Sequence, residues 1–360
     1  MVTRAAGTGP ISLSDINVEL GKNSTDTIGL AQLDVRQLSR VNAPPFQMFN
    51  LFSKYRGATI YGLYVFGQGW DGNLTVTNKV STTGSIGADV TIVSLWRTGS
   101  MGSSYGLNKG IVAYGIFPGG SPAYRNASNL ISDTGSVASD TSVVGTARAA
   151  GAATKYGYDK AIIGYGEKAG SIVTNLTNLV SNTGVIANDV STTGTVRYSC
   201  CAAPHSYDKA VFAYGGNEQY FSPQNSFNLV TNVGVLGTDT TSAGTARYHF
   251  ASAGYGDTKA AFFGGTSQTP SINYSNTLSL MENGTQIADV TNSSSNGRAK
   301  HSGVTYNVSN ASFAWGDNGT IGSYLAGALR LNSSGSFTTS STNIGTARTF
   351  PSSVAYSSFV

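Results

Sequence analysis

The sequence has little charge, almost no cysteine or histidine, and no long apolar run. Charged residues make up 11% of its 360 positions, against roughly 25% in an average soluble domain. The net charge of +4 is spread thinly, with no cluster of Lys or Arg. That excludes the basic footprint of a nucleic-acid binder or of a protein held on an anionic membrane. The two cysteines, Cys200 and Cys201, are neighbours, so there is neither a disulfide framework nor the paired spacing of a zinc site. The three histidines, His205, His249 and His301, stand eight, two and three residues after their nearest repeated arginine. They form no symmetric cluster, so no metal and no cofactor is expected. No stretch reaches the roughly 18 apolar residues of a membrane-crossing helix. The opening "MVTRAAGTGPISLSD" also lacks a signal-peptide core. There is no P-loop, no G-x-S-x-G elbow and no sialidase-type Asp-box. Among the 18 carboxylates, those in turns, such as Asp159, Asp208 and Asp257, single out no glycosidase pair.

What the chain does have is 45 Gly, 19 Tyr, 15 Phe and 40% hydrophobic residues. That composition argues against disorder and for β-sheet with many tight turns. It also has a repeat. Arg97, Arg148, Arg197, Arg247, Arg298 and Arg348 follow one another at steps of 51, 49, 50, 51 and 50. The glycines that end apolar runs (Gly67, Gly115, Gly166, Gly215, Gly265, Gly316) keep the same period. So do those of "STTG", "SDTG", "SNTG", "TNVG", "MENG" and "NSSG" (Gly84, Gly135, Gly184, Gly234, Gly284, Gly335). Three markers in one phase establish a six-fold repeat of about 50 residues.

Each unit reads as four short strands. Runs such as "KAIIGYG" and "LTNLVSN" are bounded by Gly, Asn, Asp and Ser, and "YGYDK" and "HSYDK" have hairpin grammar. No helical stripe persists beyond residue 57. The expected fold over residues 58–360 is all-β: a six-bladed β-propeller of four-stranded blades. A linear solenoid is the competing arrangement, but the atypical capping units it requires are not seen. The first unit, "GATIYGLYVFGQG", lacks a post-arginine strand, and the last, "GTARTFPSSVAYSSFV", ends with one. The C-terminal strand is therefore expected to close the ring, with residues 349–360 beside residues 59–67. In the order of arginine loop, small-residue strand and glycine-ended apolar strand, the repeat resembles kelch-type propellers. Their double glycine is matched at Gly215-Gly216 and Gly264-Gly265.

Residues 1–57 stand outside the repeat. "ISLSDINVELGK" has the grammar of a capped short helix, and Leu30, Leu33, Val35, Leu38 and Val41 approach helical spacing. A small, mostly helical module is expected, broken at Pro44-Pro45. Phe46, Met48, Phe49, Leu51 and Phe52 exceed what so small a module can hide. They pack either on the first repeat or on another protein. "ISLSDINVELG", "IGLAQLDVRQLSRV" and "FQMFNLFSKYRG" together resemble an N-terminal module of tailed-bacteriophage virion proteins. The resemblance implies a tail, collar or fibre component in the virion, with other virion proteins as partners of residues 1–57 and the chain present as a homo-oligomer or in multiple copies per particle.

Two readings of the six arginines stay open. In one, each guanidinium satisfies carbonyls or a carboxylate between blades. In the other, which the kelch resemblance suggests, they form a ligand-binding rim for an anionic glycan or acidic protein. The functional expectation is a non-enzymatic structural or adhesion component for host attachment, exposing its repeats to a host glycan or receptor, with no nucleic-acid partner and no membrane insertion. A glycan-processing enzyme on the same scaffold is the alternative, and an intracellular kelch-like adaptor is a third.

Overall fold

The structure, a computed structural model, describes residues 59–358 apart from 71, 118–122, 217–221, 257, 269–271, 293–296, 308, 321–323 and 343–344. The expected helical module at 1–57, with Phe46, Met48, Phe49, Leu51 and Phe52, lies outside the described residues.

Every regular element among the described residues is a β-strand. Six antiparallel sheets have four strands each, in spatial order first to fourth. Sheet 2 is Met101–Tyr105, Lys109–Ala113, Ala127–Ile131 and Thr141–Ser142. Sheet 3 is Ala152–Tyr156, Lys160–Gly164, Leu176–Val180 and Val190–Ser191. Sheet 4 is Cys201–His205, Lys209–Ala213, Ser226–Val230 and Thr240–Thr241. Sheet 5 is Ala251–Tyr255, Lys259–Phe263, Thr277–Glu282 and Thr285–Thr291. Sheet 6 is Ser302–Tyr306, Asn310–Ala314, Gly327–Leu331 and Phe337–Thr342. Sheet 1 is composite: its first strand is Ser352–Ser358, from the far end of the sequence, and Thr59–Val65, Val76–Val80 and Val90–Thr91 complete it. The pairing expected between the two ends of the repeat region is therefore present.

Burial explains the strand composition. The last four residues of every second strand are buried, which is why these strands read as unbroken apolar runs such as "AIIG" and "AAFF". First strands mostly alternate, as in Met101–Tyr105, and the short fourth strands of sheets 1 to 4 are exposed. Six hydrophobic clusters fill the gaps between consecutive sheets. Met101, Ile111, Ile163 and Val180 lie between sheets 2 and 3. Tyr165, Phe212 and Val230 lie between 3 and 4, Val211 and Phe262 between 4 and 5, and Phe263 and Phe313 between 5 and 6. Tyr64 and Trp315 join sheets 6 and 1, and Leu63, Val112 and Val354 join 1 and 2. Each sheet thus buries both faces against neighbours, which a single four-stranded sheet cannot do alone.

First strands approach one another closely, and this selects their small residues. A Cβ on Gly102 would collide with the Ser353 carbonyl oxygen. One on Gly303 would lie 2.7 Å from that of Ser252. Side-chain hydroxyls bridge successive first strands. Ser252 donates to Ala202 O (2.7 Å), Thr305 to Gly254 O (2.8 Å), Ser353 to Gly303 O (2.6 Å) and Ser104 to Ala355 O (2.5 Å). The last two place the C-terminal strand between sheets 6 and 2.

Where each first strand begins, a backbone chain runs from sheet to sheet. Ala150 N donates to Gly99 O, Ser199 N to Ala150 O, His249 N to Ser199 O, Lys300 N to His249 O and Phe350 N to Lys300 O, over 2.5–3.2 Å. All six residues have φ between 49° and 61°, the left-handed region that costs a non-glycine residue about 1–3 kcal/mol. These links offset that strain.

Candidate functional site

The arginine loops and the connections between second and third strands meet at one end of the sheets. Antiparallel bridges Thr98↔Ile116, Tyr198↔Gly216, Tyr248↔Thr266, Ala299↔Asp317 and Gln68↔Thr349 join the residue after each arginine to the residue after each conserved-phase glycine.

The arginines lie beneath this end. Arg97, Arg148, Arg197, Arg247, Arg298 and Arg348 are between 0% and 6% exposed. They are interior groups, and five of them have carboxylate counter-charges. Arg197 shows the design. Its guanidinium lies 4.7 Å from the ring centre of Tyr165, in sheet 3. Nη2 donates to Asn228 Oδ1 (2.5 Å) and to Asp239 Oδ1 (2.6 Å), both from sheet 4. Nη1 donates to the carbonyls of Tyr214 (3.4 Å) and Ser226 (3.2 Å). Tyr165 Oη also donates to Asn228 Oδ1 (2.8 Å). Thr195 N and Oγ1 donate to Asp239 Oδ2 at 2.9 and 2.5 Å. One cation therefore fastens the aromatic of one sheet to the amide and carboxylate of the next.

The motif recurs. Arg97 meets Phe66, Asn129 and Asp140. Arg148 meets Tyr114, Asn178 and Asp189. Arg348 meets Trp315, Asn78 and Asp89, with the guanidinium 3.9 Å from the indole centre. Arg247 meets Tyr214 and Asp289, with Ser279 in the amide's place. The five aromatics have φ of 56–63° and precede the glycines of the second marker. This left-handed turn faces each ring to its arginine. Burial pushes the Arg97 and Arg348 guanidinium groups down to about 10, against the pull of Asp140 and Asp89. Burial raises the Asp239 carboxyl, but hydrogen bonds from Thr195 and Asn228 and the Arg197 charge outweigh it and leave the group below its ordinary range. Asp89 and Asp189 behave alike, with Thr346 and Thr146 as the leading donors.

Of this set, sequence reasoning found the arginines and glycines and missed Asn78, Asn129, Asn178 and Asn228 with Asp89, Asp140, Asp189, Asp239 and Asp289. The signal was available. Each asparagine stands 30–32 residues, and each aspartate 41–43, after its arginine in units 2 to 5 wherever that residue type occurs.

Above the arginines the connecting hairpins carry aromatic side chains. Trp70 is 68% exposed and meets Tyr324 edge-on at 6.4 Å, between the hairpins of sheets 1 and 6. Trp96 packs on Phe117 at 4.9 Å, and the Arg125 guanidinium lies 5.0 Å from the Phe117 ring centre. Tyr124 Oη donates to Glu167 Oε1 (2.6 Å). Among the described residues, no group of three or more His, Cys, Asp or Glu could hold a metal ion. His205 and His301 are buried and His249 is half-buried. Burial lowers all three, His249 to about 3 with the Lys300 charge adding to the effect. Burial pushes the Cys200 thiol up to about 12 and that of Cys201 higher still, so neither is an activated nucleophile. No protein-family model matches the chain, and no curated protein matches it.

Proposed function

We propose that the six sheets are the blades of a six-bladed β-propeller whose aromatic-bearing end binds host-surface glycan, as the adhesion part of a tailed-phage virion protein. The reading is non-enzymatic: the scaffold presents a surface, and residues 1–57 attach it to other virion proteins. The succession of sheet contacts, with sheet 6 against sheet 1, supports the propeller. The virion assignment rests on the resemblance of residues 1–57.

One observation carries the binding surface. Trp70 is a large apolar face left 68% in solvent, oriented by Tyr324 at the end where the hairpins converge. An indole face held in this way suits the C–H face of a sugar ring. The low charge of the chain favours neutral or weakly charged glycans.

The test is binding of the full chain to host-cell polysaccharide and to a glycan array, beside Trp70→Ala and Tyr324→Ala. Binding that weakens tenfold or more in Trp70→Ala, with an unchanged melting temperature, is expected. Equal binding by both variants overturns the site. Release of reducing sugar from the polysaccharide overturns the non-enzymatic reading in favour of a hydrolase, and absence of the chain from purified particles overturns the virion assignment.

A further inference from the structure

One arginine, Arg298, is placed like the others but not paired like them. Arg298 Nη1 donates to the carbonyls of Trp315 (3.5 Å) and Gly327 (3.0 Å). These match the Tyr214 and Ser226 carbonyls that hold Arg197 Nη1. The guanidinium is thus seated as in the other joints, with 6% of the residue exposed. Everything that neutralises the others is replaced. Leu329 stands at the strand position of Asn228, third in its strand and paired with the second strand. Ser340 precedes Ser341, the partner of Ala328, as Asp239 precedes Thr240, the partner of Phe227. Gly264 replaces the aromatic, and a Cβ there would lie 2.6 Å from the His301 ring, which occupies the space. No Asp or Glu follows Asp317 in the sequence, and Asp317 pairs with Lys300 at 3.0 Å. Among the described residues Arg298 has no ion pair, Nε has no partner, and Nη1 is the only guanidinium nitrogen with a hydrogen bond.

A buried cation without a counter-charge is costly, by several times the worth of a surface ion pair. In the five paired joints the carboxylate is 19–28% exposed, so its position is reachable from solvent. We propose that Arg298 is a binding site for a small monovalent anion, a halide or a carboxylate group, which takes the place that aspartate fills in the other five joints. Leu329, at the register position of the amide and part of the apolar cluster between sheets 5 and 6, offers no acceptor to compete for Nη2. A single-charge ligand of carboxylate size suits the site better than a phosphate, because Arg298 is a lone guanidinium whose Nη2 has no hydrogen bond among the described residues. His301 is held neutral by its burial and by the Arg298 charge. The proposal does not rest on the glycan reading.

Thermal unfolding of the full chain in sodium chloride, sodium formate, sodium glucuronate and, as reference, sodium methanesulfonate at equal ionic strength tests it. Chloride or formate is expected to raise the melting temperature by about 5 °C at saturation. Arg298→Met and the paired change Leu329→Asn with Ser340→Asp are expected to abolish the difference between anions, the second by supplying the carboxylate in cis. An added shift with glucuronate extends the ligand to sugar acids, and none confines it to small anions. No difference between anions in the native protein, or an equal difference in both variants, overturns the proposal. If the variants do not fold, a bromide-soaked crystal of the native protein decides: an anomalous peak within hydrogen-bond distance of Arg298 Nη2 supports the site, and no peak there refutes it.

Discussion

The joint between sheets 3 and 4 and the joint between sheets 5 and 6 have the same backbone and the same central arginine, but different chemistry around it. At the first, Arg197 lies over Tyr165 and is held by Asn228 and Asp239. At the second, Arg298 keeps two carbonyl partners, while Gly264 replaces the aromatic and Leu329 and Ser340 hold the sequence-register positions of the amide and the carboxylate. Both joints nevertheless hold. The difference teaches that the arginine motif is not what builds the joint. The apolar cluster of Ala253, Phe263, Phe313 and Leu331 does that between sheets 5 and 6. The polar clamp adds stability and fixes registry only where all its members are present, because a partly satisfied buried network is worse than an apolar one.

Four changes sharpen this contrast. Arg197→Met strands Asp239 and Asn228 and is expected to cost about 3–5 kcal/mol in urea unfolding. Asp239→Ala leaves Arg197 with the amide and two carbonyls and is expected to cost about 1.5–3 kcal/mol in the same measurement. Acidification acts on both joints. His205, His249 and His301 are neutral in the fold because burial lowers them. A lowered histidine contributes its stability in full above its unfolded value near 6.5, and loses it as pH falls toward the folded value. The melting temperature should thus fall from pH 7 toward pH 4, and His301→Phe should flatten that fall without touching the Arg197 joint. Below about pH 4 the lowered Asp89, Asp189 and Asp239 add a second loss as they protonate. Arg298→Met is expected to have the smallest effect, within about 1 kcal/mol in low-anion buffer, since it removes a buried charge with no carboxylate partner.

The six-fold period and the pairing of the two ends of the repeat region were legible in the sequence because glycines and lone arginines recur in phase, and because the first unit lacks what the last supplies. Four-stranded sheets were legible from turn residues and from the apolar second strands. A clamping role for the arginines was legible only as one of two readings, because their amide and carboxylate partners lie 30–43 residues away, or across the ends of the repeat region for Arg348, and one joint lacks them. Trp70 was also passed over. Nothing in its neighbourhood distinguishes an exposed tryptophan from a buried one until the hairpin carrying it is seen beside Tyr324. Of the two readings of the arginines, the rim came from the kelch resemblance and the clamp from guanidinium chemistry, and the guanidinium groups are buried among the strands.

The central claim is that the C-terminal strand completes the first sheet and so seats itself between sheets 6 and 2. Ser100 Oγ and Ser352 Oγ, 252 residues apart in sequence, lie 2.5 Å from each other across that junction. The direct measurement is oxidation of the Ser100→Cys/Ser352→Cys variant at low protein concentration, followed by non-reducing electrophoresis and mapping of the linked peptides. The account predicts a monomeric product in which the two introduced thiols are joined to each other. Products linked only between molecules, or no linkage between positions 100 and 352, would contradict it.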